Sequence, residues 1–549
     1  MNTEKLKDEL AQVLGYHEAT KHHFHQYARG PQFLDWDDQP DPFRRFQGAP
    51  LFPLPHPPHD VTQVPYSSAF LQGSCRTQPL NLSHISQLFY NSFALSAWKQ
   101  AGETRWALRV NPSSGNLHPT EVYLLCGAID GLHHKPSVFH YAPKEHALEQ
   151  RAELSHTLWT NLSANFPATT CFIGLSSIHW REMWKYGERA FRYCQHDIGH
   201  AIAALSVAAS ALGWTVTLLD GLGTEELVLL MGLTHLREGN EAEHPDCLLA
   251  ISPTPTAADA RPEATAIQAF ARLQWRGEAN RLSPEHLRWR IIEHVTIATH
   301  KAAGDLPYTI TPTIPTSSVV HDVRQNEPSI HDIVQKRRSA VAMDGHSHLS
   351  ASHFFRLLKR TLPLPGQVPF TAVAWPAQVN LVLLVHRVEG LESGLYLLLR
   401  EANAKERLQG LLKPEFSWQS VPSCPDDLPL FHLTSGDGRQ LAKQVSCHQA
   451  IASDGCFAVS MLCRFQPTLA AWGAWFYPRL FWETGLIGHL LYLEAEFNQL
   501  AGTGIGCFFD DAVHEVLGLT GDEYQSLYHF TVGGRVEDSR LLTLPGYGN

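Results

Sequence analysis

The stretch Arg109-Val110-Asn111-Pro112-Ser113-Ser114-Gly115-Asn116-Leu117-His118-Pro119 sets two hydroxyls, a glycine and an amide side by side between two prolines. An apolar run, Val122 to Leu125, follows directly, so the loop falls just ahead of a predicted strand. Such a loop offers closely spaced backbone and side-chain hydrogen-bonding groups to a flat, polar ligand. Gly502-Thr503-Gly504-Ile505-Gly506 is a second place where bare main chain can approach a planar group, although glycine runs also mark helix C-caps and turns. It lacks the Gly-x-Gly-x-x-Gly spacing of dinucleotide-binding turns, so no Rossmann fold is inferred. Cys447-His448-Gln449 reads as strand, where neighbours point to opposite faces; packing or substrate contact is expected there rather than Cys–His cooperation. His22-His23 with His25, and His133-His134, have no Cys or carboxylate partner at ligand spacing, so no metal site is expected.

The elements that must position these residues occur twice. Ile198-Gly199-His200 opens one apolar segment and Ile487-Gly488-His489 opens another, each followed thirteen positions later by a glycine, Gly213 and Gly502. Leu230-Met231-Gly232-Leu233 is echoed by Val516-Leu517-Gly518-Leu519, and His118-Pro119-Thr120-Glu121-Val122 more weakly by Trp375-Pro376-Ala377-Gln378-Val379. The stretch 201–219 carries no charge but is rich in Ala and Ser, which predicts a helix packed inside a core rather than a membrane span. A Pro-, Thr- and Ser-containing linker is expected over 304–329, and a second Pro-rich stretch over 53–65. Ser283-Pro284-Glu285 predicts a capped helix running to about Lys301, and Asp332 to Ala340 a helix opening the second copy.

Composition narrows the classes. The chain has 549 residues, 44% hydrophobic and 18% charged, long enough for two or more cored domains. Its formal net charge of −11 gives no overall basic field for nucleic acid or an anionic membrane. Ten scattered cysteines without Cys-x-x-Cys fit reduced thiols in the cytoplasm, and the charged segment Met1 to Leu10 argues against a secretory signal.

The loop Pro112 to Asn116 resembles the flavin-contacting loop of the nitroreductase superfamily, in particular its SagB-type dehydrogenase branch. The resemblance implies an α+β fold of two tandem nitroreductase-like domains that form a pseudo-dimer within one chain, with FMN between them. The expected division is an N-terminal extension over 1–65, a first domain over 66–253, a connecting helix and linker over 254–328, and a second domain over 329–549. It assigns Pro112, Ser113, Ser114, Gly115 and Asn116 to the ring. Lys336-Arg337-Arg338-Ser339 is similar to the family's Arg-x-Ser phosphate element, and guanidinium forks with a hydroxyl suit a phosphate dianion. Gly504, Ile505 and Gly506 look like the segment whose backbone tunes the flavin, and Arg535 and Arg540 fall on the family's closing strand, beside the phosphate. Lys185 and Tyr186 resemble the pair used by azoline-oxidising members, a catalytic role that requires an environment that lowers a pKa; commonplace ion pairing is the alternative. Tyr16 to His22 resembles the opening of long SagB-like proteins, with Thr20 and Lys21 either at the other, vacated phosphate site or capping a helix.

The two copies are unequal. Where the second has Thr503-Gly504-Ile505-Gly506, the first has Trp214-Thr215-Val216-Thr217; where the first has Pro112 to Asn116, the second has Pro369-Phe370-Thr371-Ala372-Val373. Each keeps what the other lacks, which predicts one FMN per chain. The expected activity is an FMN-dependent oxidoreductase that takes a small-molecule substrate, with NADH or NADPH as candidate electron donors. The alternatives are an azoline-to-azole dehydrogenase acting on modified peptides, or a flavin-binding scaffold without turnover. No nucleic-acid or membrane partner is expected, and association beyond the pseudo-dimer is left open.

Overall fold

The charge-free stretch 201–219 divides at Gly213, whose φ of 68° turns the chain out of the helix Ala190–Ala211 and into the strand Thr215–Leu218. In the computed structural model, which describes residues 3–58, 63–257, 259–304, 306–308 and 327–548, every residue of that helix is buried. Its counterpart is Tyr477–Phe497. The two cross where Gly199 meets Gly485: a Cβ on Gly199 would overlap the Trp482 carbonyl and lie 2.8 Å from the Gly485 Cα. Ile198-Gly199-His200 and Ile487-Gly488-His489 therefore sit in mid-helix rather than at a helix start. Among the described residues no helix is long and apolar enough to cross a membrane.

Five helices position the site: α1 (Thr3–Ala19), α2 (His179–Tyr186), α3 (Ala190–Ala211), α4 (Ile330–Lys336) and α5 (Tyr477–Phe497). Two seven-stranded antiparallel sheets flank the α3–α5 pair. In the first half they are β1 (Leu51–Pro53), β2 (Thr120–Cys126), β3 (Ser137–Ala142), β4 (Ala147–Glu153), β5 (Cys171–Ile178), β6 (Thr215–Leu218) and β7 (Glu243–Ser252). In the second they are β8 (Val379–Val385), β9 (Gly394–Leu398), β10 (Gln419–Ser420), β11 (Leu430–Ser435), β12 (Phe457–Arg464), β13 (Ala501–Ile505) and β14 (Tyr524–Gly533). The spatial orders, β1-β4-β3-β2-β5-β7-β6 and β10-β11-β9-β8-β12-β14-β13, correspond in the last six places, while the edge strands β1 and β10 come from different points along their halves. The fold is α+β, with two sheet-rich halves in tandem.

Strand periodicity explains how they join. Val122, Leu124 and Cys126 of β2 enter one apolar core while Tyr123 and Leu125 enter another, because successive side chains leave opposite faces. Val379, Leu381, Leu383 and Val385 of β8 enter that same first core, whereas Val382 faces a third. One continuous core around α3 and α5 thus serves both halves, and each sheet keeps a private core outside. The C-terminal strand Leu542–Pro545 crosses back to pair with Leu95–Ala101, which pairs in turn with Thr104–Arg109.

Three local expectations need correction. The helix expected from Ser283 begins at Arg290 and ends at Ala298, because the Ser283 hydroxyl is taken by Trp180 Nε1 (2.7 Å) and the Asp38 carbonyl (2.9 Å). The helix expected over Asp332 to Ala340 is α4, capped by Ser329 and ended at Lys336; the chain then extends, and Ser339 bridges Gly502. Cys447 and His448 lie in a left-handed turn, φ 51° and 59°, not in a strand. Much of the linker expected over 304–329, and residues 59–62 of the other Pro-rich stretch, lie outside the described residues.

Candidate functional site

The loop after Thr104–Arg109 folds against its local preferences. Gly115, Asn116 and His118 all take left-handed φ values, 57°, 61° and 53°, which non-glycine residues rarely adopt. Hydrogen bonds from within the protein hold it. Ser114 donates both its N–H and its hydroxyl to Asp197 Oδ1 (2.9 and 3.0 Å), and Ser113 Oγ accepts from the His118 N–H (2.8 Å). Asn116 Nδ2 donates to the Ala107 carbonyl (2.9 Å), and its Oδ1 faces His118 Nε2 at 3.0 Å. The hydroxyls and amide that read as ligand contacts are therefore largely engaged in shaping the loop, and what they set in place is its backbone. Gly115 is required for a second reason: a Cβ there would sit 2.5 Å from the Tyr186 hydroxyl. Burial raises the Asp197 pKa to about 7, against the pull of the Ser113 and Ser114 hydrogen bonds.

The second half supplies the facing wall. After α4, Arg337 leaves the helix and is buried; its Nη2 donates to the Arg109 carbonyl (3.1 Å), its Nε has no partner, and its guanidinium lies 5.1 Å from the Tyr492 ring centre. Arg338 donates to the carbonyls of Gln335 (2.8 Å), Arg337 (2.6 Å) and Ser96 (3.0 Å), again leaving Nε unpartnered. Burial lowers the pKa of both, that of Arg338 to about 10. The glycine run forms strand β13, not a cap: Gly504 N–H donates to Tyr492 Oη (2.9 Å), which also accepts from Ser339 Oγ (3.0 Å). A Cβ on Gly504 would overlap the Tyr528 hydroxyl, and one on Gly506 the Tyr193 ring. These glycines admit tyrosines from other elements to the wall of the site.

Between the walls lies a cleft of about 490 Å³. The structure brings Pro112, Ser113, Ser114, Gly115, Asn116 and Tyr186 of the first half to its lining. Arg337, Arg338, Ser339, Gly504, Ile505, Gly506 and Arg535 of the second half join them there. Two expected residues are absent from it. Arg540 is exposed and paired with Asp538 (2.8 Å). Lys185 does not line the cleft, its Nζ lying 5.3 Å from the Tyr186 ring centre. Thr20 and Lys21 do not line the cleft: at the end of α1 the Thr20 hydroxyl donates to the Tyr16 carbonyl (2.8 Å) and its carbonyl accepts from Arg189, and Lys21 bridges Glu18 and Asp511 at 2.9 Å each.

Sequence reasoning missed Tyr193, His200, Tyr492, Tyr528, Arg109 and Cys507, all in the lining. A signal existed for part of this set. Tyr193, Asp197 and His200 are spaced i, i+4, i+7 along α3, so they share one face of that helix. Beneath them Arg189 holds the Gly506 carbonyl (3.3 and 3.2 Å) and Asp510 (2.8 Å), fixing the end of β13 against α3. Tyr186 keeps its phenol proton, its pKa pushed well above 10 by burial and by the nearby Glu182.

Lys99, Arg109, Arg337, Arg338 and Arg535 all line this cleft. Neither Arg337 nor Arg338 has a carboxylate partner at salt-bridge distance, and burying unpaired guanidinium groups is costly unless an anion meets them. The cleft is also lined by Tyr186, Tyr193 and Tyr528 and by residues of the two loops. That donor set fits an elongated ligand with a flat polar ring and an anionic tail. The corresponding position across the molecule is closed: the turn Phe370–Ala372, equivalent to Ser114–Asn116, packs directly on β6, the counterpart of β13.

The nitroreductase family model matches residues 95–251. This segment is similar to nitroreductase-family domains. It contains the loop, α2, α3 and five of the seven strands of the first large sheet outright. A protein of Methanocaldococcus jannaschii that bears a nitroreductase name is 23% identical over 141 residues, 25% of this chain and 67% of its own length. A crystal structure of a protein of Anabaena variabilis, also named a nitroreductase, superposes with a TM-score of 0.68 at 21% identity, covering 96% of this chain and 99% of that one. The nitroreductase fold therefore extends over both halves.

Proposed function

We propose that the chain is an FMN-dependent oxidoreductase that binds one FMN in the cleft between its halves and acts on a small organic substrate. The observation that carries this reading is the pairing of a main-chain-lined, tyrosine-walled slot with two arginines, Arg337 buried and Arg338 partly so, that have no carboxylate at salt-bridge distance. FMN, when bound, supplies two-electron transfer between two substrates in turn. Arg337 and Arg338 would hold its phosphate through charge-assisted hydrogen bonds. The loop Pro112–Asn116 and the strand end Gly504–Gly506 would bound the ring from opposite halves. The walls exclude water: Tyr193, Tyr528 and His200 are buried, and burial keeps His200 neutral, its pKa near 3. Tyr186 retains a proton at Oη, where it can be passed to a substrate that gains electrons. The azoline-dehydrogenase reading draws less support, because only Tyr186 of the Lys185–Tyr186 pair reaches the cleft.

The test uses Arg337→Gln and Ser114→Trp, which alter opposite halves. Each should weaken FMN binding, the first by about 10- to 100-fold, as expected for about 1.5–3 kcal/mol of charge-assisted hydrogen bonding. Full affinity in Arg337→Gln, measured by fluorescence titration, would remove the proposed phosphate site. Anaerobic mixing of the loaded protein with NADH and NADPH then assigns the donor: bleaching by either one names it, and bleaching by neither points to an organic donor.

A further inference from the structure

Cys507 lines the cleft two residues beyond β13, in a loop hydrogen-bonded to the turn that carries Cys447. Two separate loops are fastened to bring them together. Gln449 Nε2 donates to the Cys507 carbonyl (2.8 Å) and the Ser446 carbonyl (2.9 Å), and the Phe509 N–H donates to the Val445 carbonyl (2.9 Å). The turn carrying Cys447 holds two consecutive non-glycine residues at left-handed φ, a conformation kept only where the surroundings impose it. Both sulfurs belong to half-buried residues, unlike Cys126, Cys171, Cys194, Cys247, Cys456 and Cys463, which are fully enclosed. Phe24 and Tyr27, about half exposed, and His448 and Phe509 form an aromatic rim beside them.

A third group completes the arrangement. His22 Nδ1 accepts the Ala28 N–H (2.9 Å), so the neutral ring carries its proton on Nε2, and that ring hydrogen-bonds Cys507. From these contacts we infer that Cys447 and Cys507 are a redox-active dithiol that reduces low-molecular-weight disulfides, with Cys507 as the attacking sulfur and Cys447 as the resolving one.

The groups facing the pair support that division of labour. The hydrogen bond from Cys447 holds the Cys507 pKa well below the ordinary thiol value, with further lowering from His22 and Arg189, while burial opposes it. Cys447 is raised, first by the same hydrogen bond and then by burial, with Asp510 adding to the rise and Arg189 opposing it. Tyr27 also hydrogen-bonds Cys447 and stays protonated. In the exchange, the Cys507 thiolate attacks one sulfur of a disulfide RS–SR, forming a Cys507–SR bond and expelling RS⁻. Cys447 then gives its proton to a departing thiolate and attacks the Cys507 sulfur, releasing the second RS⁻. Two protein thiols and one disulfide become one protein disulfide and two RSH. Return to the dithiol takes two electrons and two protons, and supply of these from the cleft rests on the FMN reading; the exchange itself does not.

Reduced full-length protein, freed of reductant under anaerobic conditions, is treated with oxidised glutathione, alkylated and digested without reduction for mass spectrometry. A Cys447–Cys507 linked peptide should dominate, with the other cysteines alkylated. In Cys447→Ser, glutathione should remain attached at Cys507. In the untreated reduced protein at pH 6, Cys507 should alkylate about 10-fold or more faster than any other cysteine. Absence of the linked peptide in the unmodified protein, or glutathione spread without preference for Cys507, overturns the proposal. None of these readouts needs FMN, so they fail or succeed independently of the cofactor reading.

Discussion

Asp197 joins the loop to the helix beneath it: one carboxylate oxygen takes two hydrogen bonds from Ser114 while the other is buried without a partner. A carboxyl whose folded-state pKa is raised contributes stability that is fully present below its unfolded value, near 3.8, and is lost as the pH rises through about 7. The full window is worth on the order of 4 kcal/mol for a shift of about three units. Asp246, raised by burial to the same range, adds to the same slope. Urea unfolding at pH 5 and pH 8 should therefore show the wild type losing stability, and Asp197→Asn losing at least about 1 kcal/mol less; equal losses would contradict the assignment. At this scale the loop was legible by residue type, since two prolines, a glycine and three short polar side chains specify an irregular turn. The partner that engages Ser114 was not, because Asp197 lies 83 positions away and reads locally as an ordinary helix residue.

The elements that set the cleft's width are α3, α5 and β13. A Cβ at Gly485 would overlap the His196 carbonyl and lie 2.7 Å from the Gly199 Cα, so the helices would have to separate. Gly485→Ala should cost about 2–4 kcal/mol, as overpacking against backbone does, and should lower FMN binding although residue 485 does not line the site. Gly410→Ala is the control: it sits within the helix Ala404–Leu411 with nothing within 4 Å of the added carbon, so it should be neutral or stabilise by about 0.5–1 kcal/mol. Chemical denaturation of both variants checks this, and similar losses would refute the crossing as the cause. Glycine spacing made the helix repeat visible in the sequence, but it did not show what Gly504 and Gly506 make room for. A glycine run looks alike whether it caps a helix or admits Tyr528 and Tyr193, and only the tertiary neighbours distinguish the two. The helix expected from Ser283 failed for a related reason, a hydroxyl claimed by distant Trp180.

For the whole molecule, one core runs through both halves and the C-terminal strand returns to the first, so the halves share a core and the cleft is lined by residues of both. The unequal copies were readable from sequence, because loss of Ser-Ser-Gly-Asn on one side and of Gly-x-Gly on the other changes residue size and polarity outright. The packing of the turn Phe370–Ala372 on β6 was not readable, because it is a contact between distant segments. The most direct measurement is the number of FMN molecules held per chain after saturation, desalting and acid release, quantified against protein concentration. The account predicts one, dependent on both Ser114 and Arg337; two per chain, or none, would contradict it.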